Sequence, residues 1–227
     1  MHRFRTYTKS WIQKETPSAK EKRTNNILQR IKKTYPEATI ALTYKTNFEL
    51  MVAVILSAQC TDKKVNEITP ALFKKYPSVR AFAHANITEL EGLIRQSGFY
   101  HNKAKNIIGA AQKIENDFMG EVPRTMKEIL TLPGIARKSA NVVLGNAYGI
   151  VDGIAVDTHV GRIAQRWALT ESDNPVTIEQ DLMKLVPKKE WFSFTYRVID
   201  HGRAICKAQR PLCARCPLKD ICPSSLV

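Results

Sequence analysis

Four of the five cysteines of this chain, Cys206, Cys213, Cys216 and Cys222, crowd into 17 residues near its C-terminus with the spacing C-x6-C-x2-C-x5-C. Thiolates are soft ligands. Four of them in one short, loop-rich stretch describe a metal site, either a four-thiolate zinc centre or an iron–sulfur cluster, and spacing alone does not separate the two. The fifth, Cys60, is left over, and an odd count with no secretory signal argues against a disulfide framework. A second stretch with chemical capacity is residues 132–138, Leu-Pro-Gly-Ile-Ala-Arg-Lys. Pro133 presets φ and Gly134 can adopt a backbone closed to other residues, so a tight turn joins two short helices. The second helix then begins with free N–H groups, an anion site that suits a DNA phosphate, and Arg137 and Lys138 add positive charge there. Taken alone, the segment reads equally as an ordinary turn between two helices with two solvated bases.

Charge supports a polyanionic partner. Of 227 residues, 35 are Lys or Arg and 21 Asp or Glu, a net charge of +14, and residues 1–23 and 197–227 carry +9 of it. A surplus of this size favours nucleic acid, although by itself it could serve solubility. With 44% apolar and 25% charged residues the chain is a folded protein, and disorder is excluded as its main state. The longest apolar run, residues 50–56, falls far short of the roughly 18 needed to span a bilayer, so no membrane association is expected. The first 25 residues are polar with no apolar block. Residues 1–23 read as a flexible basic arm, with an organellar transit segment as the alternative.

The elements that must position these residues are helical. Ile27, Leu28, Ile31 and Tyr35 form one stripe that Pro36 stops. Residues 48–57 are apolar on nearly all sides and predict a buried central helix. Asp62 is the expected N-cap of a helix with Val65, Ile68, Leu72 and Phe73 on one face. Short helices are expected near 78–84 and 88–97, a long one over 102–118, and another after Pro123. The helix that follows Gly134 should run from about 137 to 147, and three more should cover 158–169, 176–186 and 190–205. Alternating strand patterns are nearly absent, so the class is all-α.

Four segments in this order resemble the helix-hairpin-helix DNA glycosylases, specifically the endonuclease III branch. They are residues 56–62, Leu-Ser-Ala-Gln-Cys-Thr-Asp; residues 132–144, from the hairpin through Lys-Ser-Ala-Asn-Val-Val-Leu; residues 156–160, Val-Asp-Thr-His-Val; and the cysteine tail. The resemblance spans about residues 24–223. It implies two helical domains with the DNA-binding cleft between them: a six-helix domain over 41–151 carrying the hairpin, inserted into a discontinuous domain of 24–40 and 152–227. It also implies a [4Fe–4S] cluster on Cys206, Cys213, Cys216 and Cys222.

By the same resemblance, Lys138 is the nucleophile that attacks C1′ of the damaged nucleotide, and Asp157 is its acid–base partner. A free lysine is almost fully protonated at neutral pH, so nucleophilic use requires desolvation or a nearby cation. Asp157 also reads as a simple N-cap of the next helix, and both roles can hold at once. An amine and a carboxylate are the minimum set for base loss and β-elimination, so the cluster is not expected to be catalytic. The base must leave the stack to be reached. Gln59 is expected to fill the vacated position and Phe99 to act as a wedge beside it, where the family commonly has leucine. Leu132, Gly134, Ala136 and Arg137 of the hairpin, Lys207 and Arg210 of the cluster loop, and His159 complete the expected DNA contacts. Ala136 stands where the family usually has glycine, and its Cβ is expected to weaken phosphate binding at most. Cys60 is expected to be a packed free thiol.

The implied activity is a bifunctional glycosylase and abasic-site lyase acting on oxidised pyrimidines in duplex DNA, as a monomer. A monofunctional mismatch glycosylase is the alternative enzyme, and Lys138 argues against it. A non-catalytic helix-hairpin-helix DNA-binding protein is the alternative from another class. A cytoplasmic location is expected for a bacterial chain, an organellar or nuclear one for a eukaryotic source.

Overall fold

The computed structural model describes residues 6–227 and contains no strand among them. In chain order the α-helices are α1 (Pro17–Thr34), α2 (Asn47–Leu56), α3 (Asp62–Lys75), α4 (Val79–Ala83), α5 (Ile87–Ile94), α6 (Tyr100–Asp117), α7 (Met126–Ile129), α8 (Arg137–Tyr148), α9 (Thr158–Arg166), α10 (Pro175–Leu185) and α11 (Trp191–Ala204). They fall into two compact units, residues 40–152 and residues 1–39 with 153–227.

The unit of residues 40–152 holds α2 to α8, built around α2. All seven residues at 50–56 are buried, several completely, because this helix has no polar face to turn outward. α3, α6 and α8 pack against α2, and α4 and α5 pack on α6. Phe82 anchors α4, packing on the rings of Phe48, Phe73 and Tyr76. The start of α3 differs from expectation by one residue. Thr61 is the N-cap, accepting a 3.2 Å hydrogen bond from Lys64 N, and Asp62 instead supplies negative charge to the first turn.

The other unit packs α1 and α9 on α11, and α10 on α9, around Ile27, Ile31, Trp167, Phe194 and Val198. The expected flexible arm over 1–23 does not hold for the residues the structure describes; the part at 1–5 lies outside them. Thr8 donates its backbone N–H to Pro223 O (2.9 Å) and its hydroxyl to Ser225 O (2.6 Å), and Lys9 Nζ reaches Val227 O at 2.7 Å. A 3-10 turn at Ser10–Lys14 leads into α1, which Thr16 caps and Pro17 starts. Arg23 is 7% exposed, bonds Glu15 through two N–H groups at 2.7 and 2.8 Å, and donates to Trp167 O at 2.6 Å. This polar segment is ordered by long-range hydrogen bonds to the C-terminal tail, which leave no apolar periodicity in the sequence.

Candidate active site and metal centre

The hairpin lies in the unit of residues 40–152. Leu132 and Ile135 are buried and hold the turn to the core. Leu132, at 2% exposure, is therefore an anchor whose side chain does not meet DNA, a correction to its expected contact. Gly134 is required twice over. Its φ is +80°, and a Cβ there would lie 2.9 Å from Asn106 Cβ on α6. Ala136 has φ −100°, ordinary extended backbone, so its Cβ carries no conformational cost. Eight of the α-helices carry a side-chain N-cap, but Ala136 gives α8 none, and the first-turn N–H groups of α8 are not capped by that residue. Lys138 is exposed on that first turn, beside half-buried Arg137, whose guanidinium lies 3.9 Å from Asp152. The side chain is open to solvent and within reach of a bound ligand.

Gln59 and Phe99 belong to the same unit. Both are exposed, Phe99 by 62%, and both have left-handed backbones, with φ +52° and +50°. Arg210 of the cluster loop has φ +51°. Such conformations cost of order 1–3 kcal/mol in non-glycine residues and persist where the surroundings enforce them, commonly at functional sites. Three of the five non-glycine residues with positive φ among those described are thus residues expected to touch DNA.

Asp157 lies in the other unit. It is the N-cap of α9, and its Oδ1 accepts from Val160 N at 2.8 Å. His159 places Nδ1 3.2 Å from an Arg162 N–H group, and a Cβ on Gly202 would come within 2.8 Å of that nitrogen. That edge of the half-buried imidazole is taken up by packing on α9 and α11.

The four clustered cysteines line one cavity of about 140 Å³ together with Arg166, Trp167, His201, Ile205, Leu212 and Leu226. Four thiols around one cavity are a donor set that fits a metal centre or an iron–sulfur cluster. Burial pushes the Cys222 thiol up to about 12 and that of Cys216 to about 11, so a thiolate at either position needs the compensating charge of a bound metal. His201 is fully buried and its pKa is lowered to about 4 by desolvation and by Arg162, so it is neutral beside Cys216, with Nε2 3.8 Å from the sulfur.

Sequence reasoning missed Arg162 and Arg166, which grip the cluster loop from α9. Arg162 donates to Cys206 O at 3.0 Å, and Arg166 to Cys206 Sγ (3.4 Å), Lys207 O (2.7 Å) and Ala208 O (2.8 Å). The loop therefore presents exposed Lys207 and Arg210 from a fixed base. The available signal was a basic pair at i, i+4 in the turns after Asp157.

Comparison with known proteins agrees with this geometry. The family model described as HhH-GPD superfamily base excision DNA repair protein matches residues 52–188, and that of the iron–sulfur binding domain of endonuclease III matches residues 206–222. The chain belongs to the HhH-GPD superfamily of base excision DNA repair proteins. Within it, the chain is 53% identical to the endonuclease III of Synechocystis sp. over 92% of this chain and 95% of that protein. It is 45% identical to that of Bacillus subtilis, over 86% of this chain and 89% of that one. A trapped endonuclease III–DNA covalent intermediate superposes with a TM-score of 0.87 at 41% identity, covering 90% of this chain and 96% of that one. The chain is a base excision repair DNA glycosylase with abasic-site lyase activity, of the endonuclease III branch, and takes a [4Fe–4S] cluster. DNA is its partner. No described helix is long and apolar enough to cross a membrane.

Replacing Cys222 by serine is expected to remove the iron, because a neutral hydroxyl is a poor substitute for thiolate. The cluster loop then loses its anchor. The slope of log affinity for duplex DNA against log salt should flatten by about 2, the share of Lys207 and Arg210. Iron content and salt-titrated DNA binding check this.

Proposed function

We propose that the enzyme removes oxidised pyrimidines from duplex DNA, acting as a monomer, and cleaves the resulting strand through a Schiff base on Lys138. The neutral amine attacks C1′, and the base departs with the electron pair of the glycosidic bond and takes up a proton. Opening of the C1′–O4′ bond then gives the iminium. Loss of a C2′ proton expels the 3′ phosphate, and hydrolysis returns the lysine. Asp157 stabilises positive charge developing on the sugar and moves protons about the amine. Gln59 fills the place of the extruded base, offering its amide to the orphaned partner, while Phe99 wedges beside it. The first-turn N–H groups of α8, with Arg137, Lys207 and Arg210, hold phosphates. Cys206, Cys213, Cys216 and Cys222 would hold the cluster, which would tie the tail into a rigid phosphate-binding loop.

The observation that carries this reading is an exposed lysine on the uncapped first turn of the hairpin's second helix. It is tested by single-turnover assays on duplexes containing thymine glycol, 8-oxoguanine or an adenine mismatch. Rapid base loss with strand cleavage at thymine glycol, and slow reaction elsewhere, is expected. Excision of the mismatched adenine without strand cleavage would overturn it.

A further inference from the structure

Lys103 sits on the first turns of α6 with 4% of its surface exposed, an uncommon place for a lysine. Its ammonium donates to Leu56 O and to Ser97 O, both at 2.8 Å. Leu56 is the last residue of α2, and Gln59 follows three residues on. Ser97 ends the 3-10 turn Arg95–Ser97, and Phe99 follows two residues on. One buried cation therefore joins the bases of the two loops that present Gln59 and Phe99. Desolvation lowers its pKa and Cys60 pulls the other way. The charge is favoured by the carbonyl end of α2, where the helix dipole is negative.

The geometry points to Lys103 as the positioning residue for both insertion side chains, an inference that rests on reading Gln59 and Phe99 as those side chains. Both residues are in left-handed backbone, which relaxes unless the loop ends are held. Lys103 holds both ends from one rigid helix. That helix also carries Asn106, against which Gly134 of the hairpin closes, and Gly109, where a Cβ would lie 3.3 Å from Pro133. The base of α6 thus spaces the two insertion loops, and its next turns seat the turn that leads to Lys138. Lys103 touches no reacting atom; it acts through the residues it places.

The test compares cleavage of an abasic site in duplex DNA with cleavage of an abasic single strand, where no gap is left to fill. Lys103→Met is expected to slow duplex cleavage about tenfold to a hundredfold, the scale of a misplaced positioning group. Single-strand cleavage should change less than about twofold in the same protein, since the hairpin lysine itself is untouched. Lys103→Arg, which keeps charge and donors, should hold the duplex-to-single-strand ratio nearer the parent value. In a Phe99→Ala background, Lys103→Met should cost much less. Equal loss on both substrates, or no loss on either, overturns the proposal. If Lys103→Met fails to fold by circular dichroism, Lys103→Gln is read by the same ratio, and an unchanged ratio overturns the proposal equally. If Gln59→Ala and Phe99→Ala both leave the ratio at the parent value, the insertion reading is what has failed.

Discussion

Lys138→Gln is expected to abolish strand cleavage at abasic sites, by at least about 10⁴-fold, the scale on which enzymes lose rate when a covalent nucleophile is removed. The folded state should be untouched. Lys138 is exposed, and substitutions at such positions usually change stability by no more than about 0.5 kcal/mol. Binding should weaken only modestly, because Arg137, the first-turn N–H groups of α8 and the cluster loop still meet phosphates. Loss of chemistry without loss of fold or affinity separates a nucleophile from a phosphate-binding lysine, whose removal would lower affinity and flatten the salt slope by about 1.

Asp157 permits a sharper separation, because its structural and chemical roles call for different groups. As N-cap of α9 it needs only an oxygen to accept from Val160 N, which it does at 2.8 Å. Asparagine caps as well as aspartate, whereas alanine at a cap position costs about 1 kcal/mol. Asp157→Asn should therefore keep its thermal midpoint while base excision falls about 10² to 10⁴-fold, the usual contribution of a positioned acid–base group. Asp157→Ala should be slow and also less stable. Paired melting curves and single-turnover rates of the two variants check this. Near-normal rates in Asp157→Asn would leave the residue as a cap alone.

What the sequence disclosed, and what it hid, divides along physical lines. Helices were legible where apolar periodicity or a stop signal marked them. The run at 50–56, the stripe ending before Pro36 and the turn at Gly98 all stand where expected, because each is encoded by a few neighbouring residues. The cysteines were legible because ligand spacing is local. Misread features depended on partners distant in the chain. The N-terminal segment is tied to Pro223 and Ser225, more than two hundred residues away. Leu132 lies in the hairpin motif, which predicts a DNA contact, but it is swallowed by the core beneath the turn. Lys103, Arg162 and Arg166 carry no local signal, because a basic residue on a helix reads as solvated surface. Only the fold shows their N–H groups turned inward onto backbone carbonyls and a sulfur.

The proposed reaction passes through a covalent bond to Lys138. Incubating the cluster-loaded protein with duplex DNA containing thymine glycol, in the presence of borohydride, should trap an irreversible protein–DNA adduct. Peptide mapping by mass spectrometry should place the reduced sugar on Nζ of Lys138, and Lys138→Gln should give no adduct. An adduct mapped to another amine, or cleavage that proceeds in Lys138→Gln at the parent rate, would rule out Lys138 as the nucleophile.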